Sequence, residues 1–257
     1  MEILVIALAA LVASGLTLFS GFGLGTLLMP VVALFFPLNV AISITAIVHF
    51  TNNLFKLGLV GFSADKVTVV KFGLPAVVAA LAGALVLAWL SDLQPLHQYE
   101  LAGRTLLIMP VKVIVGALII GFVILESLPA FAAIKLNPGF LPLGGCISGF
   151  FGGLSGHQGA LRSMFLIKAG LSKERFIATG VVLSVMVDFT RLLIYGWDAR
   201  TLRGEMDWLL VVVATLAAFA GAFIGSRLVR KITIRSIQVI VSFLLVVVAL
   251  GLMAGVL

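Results

Sequence analysis

The chain has 257 residues, of which 62% are hydrophobic and 11% charged, with a mean hydropathy of +1.27 and a formal net charge of +7. No soluble domain of this length can hide so much apolar surface, so the composition excludes a soluble enzyme and points to a multi-span membrane protein. The surplus Lys and Arg sit in short loops between apolar runs, as membrane topology requires, and form no single nucleic-acid-binding face.

Runs long enough to cross about 30 Å of hydrocarbon lie near 3–36, 39–61, 67–90, 106–125, 139–167, 176–197, 206–225 and 237–257. Within lipid such runs are helices. The first follows Glu2 instead of a basic region and continues well past Gly15, so it reads as retained and not as a cleaved leader. It also carries GFGLG at 21–25 in its middle. Glycine there lets the backbone turn, and the run reads as two half-helices of a re-entrant hairpin, the second starting near Gly23–Thr26. Close helix packing through small residues is the other reading of the same glycines.

The second run contains TNN at 51–53 and then Lys56. Asn52 and Asn53 suit either oxyanion oxygens or a helix-bridging role. Lys56 either meets an anion near the midplane or snorkels to the interface; His49 is a weaker candidate. A polar loop holding His97 and Arg104 separates the third and fourth runs.

The fifth run repeats the design of the first, with SGFFGGLSGHQGALRS at 148–163. A second half-helix starting near Ser155, Gly156, His157 and Gln158 would aim backbone N–H groups, the positive end of its dipole and polar side chains at a common cavity. Gly23 and Gly25 would do the same from the first hairpin. Arg162 either lines that cavity or braces the hairpin. In the sixth run lie Asp188 and Arg191, each costing about 2.5–3.5 kcal/mol at a helix centre. They form an i,i+3 ion pair, or Arg191 contacts an anion while Asp188, with His157, exchanges a proton. The lone Cys146 allows no internal disulfide and reads as a small hydrophobe or as a thiol near a sulfur ligand. No nucleotide-binding, metal-binding or hydrolase motif is present, so no cofactor is expected and an ATP-driven pump is disfavoured.

Four segments recur in order: Ser20-Gly21-Phe22 as Ser148-Gly149-Phe150, 56–61 as 191–196, 82–90 as 220–228, and 111–118 as 237–244. This predicts two transmembrane repeats, 1–127 and 128–257. With eight simple spans the halves are parallel, and loop Lys and Arg divide five against eight. With a broken hairpin opening each half, followed by three spans, the halves are inverted and only Arg104, Arg200 and Arg203 oppose the other ten. The second division is the sharper. The expected fold is therefore all-α, polytopic, with inverted repeats and both termini outside the cytoplasm; eight simple spans is the alternative.

SGFGLGTLLMPVVALFF, its counterpart SGFFGGLSGHQGALRSMFLIKAGLS and AGAFIGSRL resemble the TauE/SafE permeases over nearly the whole chain. The resemblance implies a multi-pass carrier in the bacterial inner membrane that moves small sulfur-containing anions such as sulfite, thiosulfate and sulfonates. The expected partners are that anion and the bilayer, not nucleic acid. The expected mechanism is alternating access around a central site, with a proton or sodium gradient, or the anion's own gradient, as candidate energy sources. An anion channel is the alternative, and an intramembrane enzyme or assembly subunit a third class. Tags in the loops near residues 66 and 135 test the inverted topology: both should stay unlabelled by impermeant reagents in intact cells, and labelling of either would restore eight simple spans.

Overall fold

The computed structural model describes every residue except 21–22, 102, 129–136, 168, 203–205, 229–233 and 257. Among the described residues, ten α-helices follow one another: α1 (Glu2–Ser20), α2 (Leu24–Ala33), α3 (Leu38–Val60), α4 (Lys66–Ser91), α5 (Pro110–Ser127), α6 (Leu141–Ser155), α7 (Gly159–Ile167), α8 (Lys173–Leu202), α9 (Trp208–Leu228) and α10 (Ile234–Met253). Four segments, Val40–Ser63, Lys66–Ser91, Lys173–Ile194 and Trp208–Gly225, are long and apolar enough to cross a membrane; Glu2–Thr17, Leu24–Ala33, Pro110–Leu125 and Leu141–Ser155 are shorter apolar helices. The protein is a mostly helical, multi-pass membrane protein.

Both glycine-rich runs are broken helices. The first divides into α1 and α2, which starts from Gly23 in extended conformation with no side-chain cap. The second divides into α6 and α7. Gly156 ends α6 in the left-handed region (φ 80°), donating its N–H to the Gly152 carbonyl. A side chain is strained at that φ, so glycine is the residue that permits the break.

One departure from an all-α fold occurs between the third and fourth runs. His97–Leu101 and Arg104–Ile108 form an antiparallel hairpin, β1–β2, where a polar loop is expected. Leu101 and Leu107 are exposed on it, so it buries too little to announce itself by alternation. The Tyr99 hydroxyl donates to the Ala254 carbonyl (2.6 Å) and anchors the hairpin to the end of α10.

The bundle presents apolar faces outward and holds a polar cluster within an otherwise apolar interior. Leu4, Leu8 and Val12 of α1, Val70, Leu74, Val78 and Leu85 of α4, and Leu209, Val212 and Leu216 of α9 are exposed at helical spacing, forming faces suited to lipid. His49, Asn52, Asn53, Lys56, Arg162, Asp188 and Arg191 are buried.

Two close helix contacts hold this interior together. On α6, Gly145, Gly149 and Gly153 lie against the backbone of Phe72, Ala76 and Ala80 on α4, while Gly83 of α4 lies against Phe150. On α9, Gly221 and Gly225 meet the backbone of Leu11 and Gly15 on α1. With little hydrophobic drive between helices in lipid, such small-residue seams supply van der Waals contact at short axial separation. Elsewhere α3 packs on α8, α5 on α10, α4 on α8 and α9 on α3. Asp65 caps α4 by accepting the Thr68 N–H (2.8 Å), its own N–H donates to Thr179 of α8 (2.9 Å), and Arg175 approaches its carboxylate (3.5 Å). The Thr68 bond first, and Arg175 more weakly, hold its carboxyl below the usual range.

A Cβ at Gly149 would collide with the Ala76 carbonyl, whereas one at Gly58 meets nothing within 4 Å. Gly149→Ala should therefore cost about 1–3 kcal/mol through overpacking. Gly58→Ala should be neutral or stabilising by up to about 1 kcal/mol. Thermal unfolding of the two variants in detergent, side by side, checks both.

Candidate functional site

The helix breaks and the middles of α3 and α8 converge on a buried polar cluster. At its centre is the Asp188 carboxylate, which has 0% exposure. His49 Nδ1 lies 2.6 Å from Oδ2, and because a carboxylate only accepts, Nδ1 carries the proton and donates. Asn53 Nδ2 also donates to Oδ2 (3.2 Å), and Gln158 Nε2 donates to Oδ1 (3.3 Å). Arg191 Nη2 is 3.0 Å from Oδ1, one turn along the same helix. That is close enough for an ion pair but not aligned for a hydrogen bond, so Arg191 Nη2 and Nε are left without a hydrogen-bond partner.

Local sequence explains the convergence. Asp188 and Arg191, three apart, share a face of α8, and His49 and Asn53, four apart, share a face of α3. The α3–α8 contact turns those faces toward each other. The Arg191 guanidinium rests on Gly156, with Nη1 2.7 Å from where a Cβ would stand, so that glycine serves both the break and the cation. The two breaks also meet: a Cβ at Gly25 would lie 3.8 Å from the Gly156 carbonyl and 3.6 Å from Thr45 Cγ2.

An open cleft runs from this cluster between α3, α7 and α8. Gly23, His49, Asn53, Lys56, Arg162 and Ser184 line it, and it extends past Phe176 and Ile177 toward the end of the bundle where α7 finishes and α8 begins. Arg162 Nη1 donates to the Ser184 hydroxyl and to Gln158 Oε1 (3.4 Å). The Asn52 amide, turned so that its oxygen accepts from Lys56 Nζ (3.2 Å), donates from its nitrogen to the Ala218 carbonyl (3.3 Å).

Of the residues singled out from sequence, Gly23, Asn53 and Lys56 line the cleft, and Gln158 and Arg191 join them through Asp188. Asn52 lies behind Lys56, and Gly25 and Gly156 form the meeting point of the breaks. Ser155 is turned back on its own helix, donating to the Phe151 carbonyl (3.1 Å). His157 stacks on Phe122 and its Nδ1 donates to the Ser155 carbonyl (3.0 Å), leaving Nε2 buried without a partner. A neutral ring held this way presents a lone pair at Nε2, so His157 offers that position a proton only when the ring is charged. Cys146 is exposed on α6, away from the cluster.

Two participants outrank their sequence signals. His49 makes the shortest contact to Asp188, yet it is a lone histidine in an apolar run; its i,i+4 spacing to Asn53 is the signal that marks it. Ser184 is the same kind of case, one turn before Asp188 and indistinguishable in sequence from a packing serine.

The family model described as "Sulfite exporter TauE/SafE" matches residues 6–252. The chain belongs to the TauE/SafE family. Its fold and family agree on a membrane transporter, and the family's cargo is sulfur-containing anions. No curated protein and no solved structure matches this TauE/SafE chain.

Removing the His49 donor leaves Asp188 Oδ2 with Asn53 as its remaining donor, and the lost bond to a charged group is worth about 1.5–3 kcal/mol. His49→Leu should lower the melting temperature in detergent, and His49→Gln, which restores an N–H, should recover part of the loss.

Proposed function

We propose that this protein is a secondary transporter that moves a small sulfur oxyanion, such as sulfite or thiosulfate, by alternating access at the cleft between α3, α7 and α8. One observation carries the reading. Among the described residues the buried interior holds three cations, Lys56, Arg162 and Arg191, and one carboxylate, Asp188. Unbalanced buried charge is costly, and a bound anion is the natural counter-charge. With the histidines neutral the surplus is +2, which suits a doubly charged oxyanion.

The site supports recognition by hydrogen bonding and charge together. Lys56 and Arg162 face the cleft, and the N-terminus of α2 adds its dipole through Gly23. An anion leaving water needs such donors to replace its hydration. A zwitterion such as taurine would find surplus positive charge where its ammonium must sit, so the site favours anions without an amino group.

The helix order supports two repeats, 1–127 and 128–257. Replacing each helix by the one five places along exchanges α1·α9 with α6·α4, α3·α9 with α8·α4, and α1·α2 with α6·α7, and maps α3·α8 and α5·α10 onto themselves. This is the pairing that two-fold related halves produce. An inverted relation follows from the Lys and Arg distribution. In that orientation the termini are periplasmic in a bacterial inner membrane and the cleft opens toward the cytoplasm beside Lys173 and Arg175. On α8 the cleft lining reaches Ser184, one turn short of Asp188, which supports a carrier over a channel.

Purified wild type should be stabilised by one or more of sulfite, thiosulfate, sulfate and sulfoacetate but not by taurine. The gain should approach about 2.7 kcal/mol at a hundredfold excess over Kd. Lys56→Met and Arg162→Gln should each abolish most of the shift, and counterflow in proteoliposomes should separate carrier from channel. A flat response to every sulfur anion would remove the anion-site reading.

A further inference from the structure

Resting on that reading, we propose that the Asp188 carboxylate is a tethered stand-in for the transported anion: it occupies the central donor set when the site is empty, and the substrate binds there by displacing it.

The donor set is composed as an anion site should be. It draws His49 and Asn53 from α3, Gln158 from the helix break and Arg191 from α8, so both halves of the chain contribute. All four are buried, with exposures of 2%, 5%, 1% and 1%. The carboxylate leaves part of this set unused: Arg191 Nη2 stands 3.0 Å from Oδ1 without an aligned hydrogen bond, and the buried Arg191 Nε has no hydrogen-bond partner. A pyramidal or tetrahedral oxyanion, with three or four oxygens, offers the acceptors that a planar carboxylate lacks.

The carboxylate also stands at the end of the entry path. Ile177, Gly180, Val181 and Ser184 line the cleft along one face of α8, and Asp188 is the next residue on that face, one turn deeper than Ser184. An anion moving down the cleft meets Lys56 and Arg162 first and Asp188 next. Exchange there is anion for anion, so the donors are never left unpaired, and the displaced carboxylate has Arg162, held by Ser184 one turn away, as an available cation. Asp188 thereby keeps an empty site from collapsing or leaking, and it sets a threshold: only an anion that uses the donors better than a carboxylate replaces it.

The test compares wild type, Asp188→Asn and Asp188→Ala in detergent, with sulfite as the oxyanion probe and acetate as the carboxylate probe. Sulfite should bind both variants at least tenfold more tightly than wild type, acetate should restore much of the melting temperature lost by Asp188→Ala while leaving wild type unmoved, and net transport in proteoliposomes should fall. Should Asp188→Ala not fold, Asp188→Asn carries the affinity comparison. Infrared difference spectra of wild type should then show a sulfite-induced shift of a carboxylate stretch that Asp188→Asn lacks. Sulfite binding to wild type with equal or weaker binding to the variants, or with no carboxylate shift, overturns the stand-in role and leaves the transporter reading intact. Failure of sulfite to bind any of the three proteins overturns the stand-in role for that oxyanion, and failure of thiosulfate, sulfate and sulfoacetate as well overturns the transporter reading.

Discussion

A carboxylate with no exposure to solvent, surrounded by lipid-facing helices, is stable only if its environment is arranged around it. Asp188 imposes that arrangement. It needs a cation within its own helix, which Arg191 supplies at i+3, and donors from outside, which only α3 and the α6–α7 break can bring. Those requirements fix the α3–α8 contact at the centre of the bundle. The seams between α4 and α6 and between α1 and α9 then hold each broken helix at the right depth.

The glycines divide between these two tasks. Gly145, Gly149 and Gly153 repeat every four residues and form one face of α6, where they admit the α4 backbone. Gly156 lies off that repeat, takes a positive φ and gives room to Arg191. The dense glycine run is therefore two superposed signals, a packing stripe and a site element. Composition merges them, and only the register separates them: the stripe keeps the i+4 step of a helix, and the site begins where the step is broken.

This is also why the sequence was informative to different depths. Both breaks were legible, because a run too long for one span with glycines in its middle has few other outcomes. Lys56, Asp188 and Arg191 were legible because charge inside an apolar run is costly, and the Asp188–Arg191 pair followed from helical spacing alone. The partners across the bundle were not. His49 reaches Asp188 over 139 residues of sequence, and nothing in the period of α3 states which helix its polar face meets. Arg162 was visible as a charge, but whether it faced the cavity depended on the direction α7 takes after the break. The β1–β2 hairpin left no trace because its strands bury almost nothing.

Lys56 and Arg191 illustrate how two positions matched in sequence can sit in different surroundings. They open the matching sequence segments 56–61 and 191–196, yet Lys56 faces the cleft beside Asn52 while Arg191 pairs with Asp188. The difference traces to the residue three places earlier, Asn53 in α3 and Asp188 in α8. An amide there gives the following cation no ion-pair partner, and a carboxylate ties it down. With two asparagines the same three buried cations would face no carboxylate, and with two aspartates they would face two, leaving less positive charge for an anion. One of each leaves surplus positive charge and one internal anion, which under the proposed function attract an oxyanion and steady the site between passages. On the proposed transporter reading, that asymmetry lets the site bind an anion and then release it.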